Sequence, residues 1–207
     1  MGKKKKKEVM DEGVRLYIAK GIRLIFWGNL IGLLGFIPNT VHGFITSFVP
    51  AHLVSEFILI VPTFVILYGL FCLRNVNRYL QVSFIMSAVS SAFTLLTVVD
   101  VFYLSSFEQV LIVVGVISLT MSMVSSFAIY LGFALLFKDT LPRLSKGFKR
   151  LIWLNIISVF IVFGVGGIAG AEAAAIILLF VLISFALYEI HLLHLAYKHL
   201  TVPSARV

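Results

Sequence analysis

The sequence predicts an all-α, polytopic integral membrane protein with six transmembrane helices. Of its 207 residues, 60% are hydrophobic and 13% are charged, which leaves too little polar surface to cover a water-soluble protein. The hydrophobic residues fall into six long runs, and crossing a hydrocarbon core requires about 20 helical residues. Helices are favoured over barrel strands because the runs are continuous and do not alternate polar and apolar residues. The predicted spans are 22–38, 53–73, 79–99, 109–137, 150–170 and 172–197.

The boundaries of the first three spans follow from a turn signal and from basic residues. The first span ends at Pro38, where Pro-Asn-Thr predicts a turn, and the chain up to His52 is predicted to lie at the membrane interface. The second span ends before Arg74 and the third begins after Arg78. Basic side chains are costly in hydrocarbon, so each of them indicates where a span leaves the membrane.

The last three spans also have recognisable ends. Ser105 and Glu108 form a capping-box pattern at the start of the fourth span, and such a pair satisfies free backbone N–H groups. The fifth span begins at Arg150. The sixth begins near Glu172, where the helix dipole favours a carboxylate, and ends before Lys198.

The distribution of charge predicts the orientation. All 17 Lys and Arg residues fall in segments that share one side of a six-span protein. The charged residues on the other side are all acidic: Glu56, Asp100, Glu108 and Glu172. The positive-inside rule therefore places both termini in the cytoplasm. The expected organisation is a basic cytoplasmic tail at 1–21, a six-helix membrane domain at 22–200 and a second cytoplasmic tail at 201–207.

This arrangement also accounts for the net charge of +8. Basic residues at the cytoplasmic ends of helices, together with the run Lys3–Lys7, are expected to contact anionic lipid headgroups. No nucleic-acid partner is expected.

Two pairs of similar segments suggest an internal repeat. Arg23–Asn29 resembles Arg150–Asn155, and Ser126–Tyr130 resembles Ser184–Tyr188. Three parallel helical hairpins would relate both pairs, whereas chance similarity between apolar helices would produce the same matches. Both interpretations stay open.

Small residues recur at helical spacing in the first, third and fourth spans. Such residues let helix backbones approach closely where lipid supplies no hydrophobic drive between helices. We expect them to pack helices of one chain together, with self-association as the alternative. They are Gly28, Gly32, Gly35, Ser83, Ser87, Ser91, Ser118, Ser122 and Ser126.

The sixth span carries a polar stripe. At 100° per residue, Ser184, Tyr188, His191 and His194 share one face and Glu189 points away from it. We interpret the stripe as structural hydrogen bonding. The alternatives are the lining of a cytoplasm-facing cavity, or haem or metal ligation by His191 and His194.

Three further polar residues within the spans are candidate cavity or ligand-binding residues. Asn29 and Asn155 are expected to hydrogen-bond across the bundle, with ligand binding as the alternative. Glu189 is expected to be neutral, or paired with a base such as Arg74 or Arg78.

The sequence contains no recognisable catalytic motif. It has no His-Glu-x-x-His, no Cys-x-x-Cys and no Gly-rich phosphate loop, so neither enzymatic activity nor a cofactor is expected. The expected function is a membrane-embedded scaffold or accessory subunit of a larger complex, with protein partners in the membrane. The alternative is a small-solute or lipid carrier or channel, with a cytoplasm-facing cavity lined by the sixth helix.

Overall fold

Six α-helices, with no strand among the described residues, make up the computed structural model, which describes residues 11–45, 50–103, 108–169 and 171–201. The predicted all-α fold is confirmed for this part of the chain. The helices are α1 Glu12–Ile45, α2 Pro50–Leu73, α3 Arg78–Tyr103, α4 Glu108–Leu136, α5 Pro142–Ala169 and α6 Ala171–Thr201.

Three helical segments are long and apolar enough to cross a membrane. Among the described residues these are Glu12–Gly35 in α1, Val116–Leu136 in α4 and Phe180–Thr201 in α6. The described part of α2 adds a shorter apolar segment, Ile60–Leu73. The protein is therefore helical, with at least these three segments suited to membrane insertion.

Several helices are longer than the apolar runs that predict them. α1 begins at Glu12, within the predicted tail, and α5 begins at Pro142 rather than at Arg150. Hydropathy detects only the part of a helix that suits hydrocarbon, whereas backbone hydrogen bonding continues through basic residues. Pro142 stands at the first helical position, where its missing N–H has no helical partner to lose.

The predicted turn after Pro38 is wrong, because α1 continues through this residue to Ile45. Proline is tolerated within membrane helices more readily than within soluble ones, since neighbouring groups can satisfy the freed backbone carbonyl.

The helices form a closed ring in which each packs against its neighbours in sequence and α6 packs against α1. Neighbours are antiparallel: Gly21 near the start of α1 faces Gly69 near the end of α2, whereas Gly32 faces Pro62. One end of the ring therefore contains the starts of α1, α3 and α5 and the ends of α2, α4 and α6. All Lys and Arg residues of the described chain lie at or near this end, which we call the basic end.

A hydrophobic core fills the ring at the basic end. The centroid of the Phe148 ring of α5 lies 5.1 Å from that of Phe133, near the end of α4, and 6.3 Å from that of Phe137, which directly follows α4. Ser145 ties α5 to α4 by donating a 2.6 Å hydrogen bond to the Ala134 carbonyl. Side chains from all six helices are fully buried here, among them Ile22, Leu73, Leu80, Phe133, Phe148 and Leu193.

α1 and α2 approach closely at Gly28. A Cβ atom there would lie 2.5 Å from Ile66 Cγ1 and 3.1 Å from the Pro62 carbonyl oxygen, whereas at Gly32 the nearest atom, Pro62 Cβ, is 3.5 Å away. Overpacking of this kind costs about 2 kcal/mol, while alanine favours the helix by about 1 kcal/mol relative to glycine. We expect Gly28→Ala to lower the free energy of unfolding by about 1 kcal/mol, measured by unfolding in detergent.

Gly32→Ala is the matched control, since it gains the same helix propensity without the clash. It should leave the protein as stable as the unmodified chain or more stable. Equal effects of the two substitutions would contradict close packing at Gly28.

Candidate functional site

A cavity of about 330 Å³ lies inside the ring. On α1 and α4 the lining begins at the last core residues, Ile25, Ile129 and Tyr130, whereas on α2, α3 and α6 the lining residues lie farther from the basic end than the core residues. Thus Glu189 precedes the buried Leu193 of α6, and Leu67 precedes the buried Leu70 of α2. The hydrophobic core therefore separates the cavity from the basic end.

The cavity wall has an apolar part and a polar part. The apolar part consists of Ile25, Ile66, Leu67 and Ile129. The polar part is mainly hydroxyl groups of α3 and α4, with one carboxyl group. Its members are Asn29, Thr63, Ser87, Ser90, Ser91, Thr94, Ser122, Ser125, Ser126, Tyr130 and Glu189.

The carboxyl group of Glu189 joins three helices. Asn29 Nδ2 of α1 donates a 3.1 Å hydrogen bond to its Oε1, and the Tyr130 hydroxyl of α4 donates a 2.9 Å hydrogen bond to its Oε2. The Tyr130 ring also packs edge-on against Phe185, at 6.0 Å between centroids. The carboxyl group is thus held in one orientation by a donor on each oxygen.

Glu189 has no ion pair within the described chain, where the only salt bridge joins Arg15 to Glu12. Glu189 was expected to be neutral or paired with a base such as Arg74 or Arg78, and the pairing has no counterpart among the described residues. The Arg74 guanidinium lies over the Phe71 ring, 3.8 Å from the centroid. The partners of the Glu189 carboxyl group are the neutral groups of Asn29 and Tyr130.

Serine side chains join α3 to α4 beside the cavity. Ser125 Oγ lies 2.9 Å from Ser83 Oγ and 2.6 Å from Ser87 Oγ, and Ser90 Oγ lies 3.1 Å from Ser118 Oγ. Hydrogen bonds between small side chains are a common means of holding membrane helices together. Ser83, Ser87 and Ser118 therefore lie at a helix–helix interface.

Several of the hydroxyl groups that line the cavity donate to backbone carbonyls. Ser91 donates to the Ser87 carbonyl at 2.7 Å and Ser126 to the Ser122 carbonyl at 3.0 Å. Ser90 and Ser125 donate across the interface to the Ser118 and Ser83 carbonyls, each at 3.0 Å. A hydroxyl has one hydrogen to donate and two lone pairs, so the oxygens of Ser90, Ser91 and Ser126 keep acceptor capacity toward the cavity. The lone pairs of Ser125 Oγ are taken by Ser83 Oγ and Ser87 Oγ when Ser125 donates to the Ser83 carbonyl.

Of the candidate cavity residues predicted from the sequence, Asn29 and Glu189 line the cavity, where they hydrogen-bond to each other. Ser184, His191 and His194 are exposed on the outside of the ring and do not line it.

Two further candidates also lie away from this lining. The Tyr188 hydroxyl lies against Gly147 of α5, and Asn155 is half-buried on α5. Asn29 does hydrogen-bond to another helix, because its side-chain amide donates to Glu189 of α6.

The small residues predicted to pack helices fall into two groups. Gly28 and Gly32 face α2, and Gly35 is half-buried on α1. Ser91, Ser122 and Ser126 line the cavity.

Reasoning from the sequence missed the cavity residues Tyr130, Ser90, Thr94 and Ser125, although a signal was present. Positions 87, 90, 91 and 94 of α3 follow the i, i+3, i+4, i+7 spacing of one helix face, and the serines at 122, 125 and 126 of α4 follow its first three positions. A polar stripe on an otherwise apolar helix indicates a face turned toward a polar interior.

No three His, Cys, Asp or Glu side chains of the described residues come together to hold a metal ion. The fold and site define a ring of apolar helices that encloses a polar cavity with one hydrogen-bonded carboxyl group. Comparison with protein-family models, with curated proteins and with solved structures gives no match to this chain.

Proposed function

We propose that the chain is a six-span membrane carrier that binds a small solute in the cavity between α1, α2, α3, α4 and α6. The observation that carries this proposal is Glu189, a carboxyl group held by Asn29 and Tyr130 inside a ring of apolar helices. Ionisable groups at such positions are costly and usually serve binding or transport.

Six crossings are supported by the packing of the remaining helices against the three apolar segments. Ile66 of α2 meets Gly28 of α1, Ser83 of α3 meets Ser125 of α4, and Leu192 of α6 meets Gly147 of α5. Helices that pack side by side share the same depth. If α1, α4 and α6 cross the membrane, then α2, α3 and α5 cross it beside them.

The orientation follows from the basic end. Lys and Arg residues are retained on the cytoplasmic side of a membrane, so the basic end and both termini are cytoplasmic in this proposal. The hydrophobic core then closes the cavity toward the cytoplasm, and transport requires a second conformation in which this core opens.

The predicted scaffold or accessory subunit needs only helix packing and basic anchors. Neither accounts for a hydroxyl-lined cavity with a hydrogen-bonded carboxyl group, which is why the carrier is favoured. The scaffold is retained as the opposite outcome of the experiment below.

Cysteine labelling tests the carrier. With Cys72, which is buried, first replaced by serine, Ser91→Cys should react with a membrane-impermeant cationic thiosulfonate applied from either side of vesicles, because a carrier exposes its cavity to each side in turn. Ser83→Cys is the control, since Ser83 is fully buried beside the cavity and should not react. If neither cysteine reacts from either side, solute does not reach the cavity, and a stoichiometric protein partner found by native mass spectrometry would support the accessory subunit.

We also propose that anionic phospholipid binds a groove between α5 and α6 at the basic end. The groove has a volume of about 560 Å³, an apolar floor and a basic rim. Basic pockets between membrane helices on the cytoplasmic side suit lipid phosphates, and the floor suits an acyl chain. The rim is Arg143, Lys198 and His199, and the floor is Leu141, Leu144, Leu192 and Leu195.

Removing charge from the rim should weaken lipid binding. We expect the double variant Arg143→Gln/Lys198→Gln to retain less phosphatidylglycerol than the unmodified chain in native mass spectrometry. The double variant Lys146→Gln/Lys149→Gln removes the same charge outside the groove. Equal losses in the two variants would indicate a diffuse basic surface instead of a groove.

A further inference from the structure

We propose that the solute is a small organic ammonium ion, whose charge is balanced by Glu189 and whose N–H groups donate to the serine oxygens of α3 and α4. The inference rests on the proposed binding of a solute in the cavity and names its chemical class. It is carried by the charge, the hydrogen-bonding character and the shape of the cavity wall.

The cavity contains one acidic group and no basic side chain among its lining residues. The sequence reinforces this asymmetry, because it has no Lys or Arg between Arg23 and Arg74, between Arg78 and Lys138, or between Arg150 and Lys198. Those intervals contain the parts of all six helices that lie beyond the basic end. The lining residues therefore supply no ammonium or guanidinium group to the cavity, and a ligand can supply the missing positive charge.

The hydrogen bonds around the cavity favour a ligand that donates. Ser90, Ser91 and Ser126 give their hydroxyl hydrogens to backbone carbonyls, which leaves lone pairs on their oxygens as acceptors. The Tyr130 hydroxyl gives its hydrogen to Glu189. An ammonium group has up to three hydrogens and no lone pair, so it complements a wall of acceptors, whereas an anionic or acceptor-rich solute does not.

The size and the apolar part of the wall favour an organic cation over a bare metal ion. Benzene binds in an engineered apolar cavity of about 150 Å³, and this cavity measures about 330 Å³, within the usual range for small-molecule sites. Ile25, Ile66, Leu67 and Ile129 provide an apolar surface beside the carboxyl group. The ammonium group would lie at Glu189 and the hydrocarbon body against these four side chains.

Matched pairs of ligands test the inference. Calorimetry measures binding to the full chain in detergent. The ligands are monoamines from methylammonium to phenethylammonium, and each is compared with the uncharged alcohol of the same hydrocarbon group, from methanol to 2-phenylethanol. Sodium chloride without any amine tests for binding of an alkali ion. We expect the larger ammonium ions to bind at least roughly tenfold more tightly than their alcohols.

Two substitutions in the cavity test where the ligand binds. Glu189→Gln keeps the shape of the side chain and should weaken ammonium binding by roughly 30-fold or more. Ser91→Ala removes one acceptor and should weaken it about three- to tenfold. His191 lies on the exposed face of α6, so His191→Gln should leave the affinity for ammonium ions unchanged. It is the control that separates loss of the carboxylate from a general effect of substitutions in this helix.

The other outcomes overturn the inference in distinguishable ways. If the alcohols bind as tightly as the amines and Glu189→Gln has no effect, the proposal that the solute is a cation is rejected. The proposal that a solute binds in the cavity then still holds. Sodium binding that depends on Glu189, without amine binding, would assign the site to an alkali ion. If no ligand of the series binds, the organic cation is rejected. Failure of Ser91→Cys to react with the thiosulfonate would separately reject the carrier.

Discussion

Phe148→Ala is expected to lower the free energy of unfolding by about 2–3 kcal/mol. The Phe148 ring is fully buried and contacts the rings of Phe133 and Phe137. Because detergent and lipid are as apolar as the core, the loss comes from packing, not from transfer out of water. A cavity costs about 24 cal/mol per Å³, and truncation removes on the order of 100 Å³. Equilibrium unfolding in mixed micelles measures the effect.

Trp153→Ala is the control on the same helix. Trp153 is 66% exposed on the outside of the ring, so its truncation creates no internal cavity and should change the free energy of unfolding by less than about 0.5 kcal/mol. If the two variants prove equally stable, the core between the cavity and the basic end is not tightly packed around Phe148.

Tyr130→Phe is expected to lower the free energy of unfolding by about 1–3 kcal/mol, the usual cost of leaving a buried hydrogen-bonding group without its partner. The substitution removes the donor to Glu189 Oε2 and leaves the ring contact with Phe185 in place. Tyr188→Phe makes the same chemical change outside the cavity, where Tyr188 packs over Gly147, and should cost less than about 0.5 kcal/mol.

A double-mutant cycle identifies the cause of the loss. In a Glu189→Leu background the hydroxyl of Tyr130 has lost its acceptor, so Tyr130→Phe should no longer destabilise the protein. An undiminished loss in that background would mean that Tyr130 acts through another contact.

The helical class was predictable from the sequence because it depends only on local composition. Long apolar runs without polar alternation exclude most other folds, and the described chain is helical throughout its elements. The ends of α1 and α5 were less predictable, since Glu12 and Pro142 lie in polar segments where hydropathy gives no signal although helical hydrogen bonds continue.

The candidate site was only partly predictable. Helical periodicity correctly separates Glu189 from the face that carries Ser184, His191 and His194, but it does not say which face turns inward. That depends on the closure of α6 against α1, a contact between distant parts of the chain. The serine stripes of α3 and α4 were ambiguous for another reason, because small polar residues at helical spacing suit both close helix packing and a polar cavity wall.

The position of Glu189 also has an electrical consequence. Glu189 precedes Lys198 by about two and a half helical turns, or roughly 13 Å, within a hydrocarbon core of about 30 Å. A cation that reaches it from the side opposite the basic end has crossed roughly half of the membrane. Moving one charge through the whole potential is worth about 2.3 kcal/mol per 100 mV, so half of that distance gives about 1 kcal/mol. With the basic end in the cytoplasm, a negative interior potential would draw the solute toward Glu189, and the resting membrane voltage would itself tune occupancy of the site.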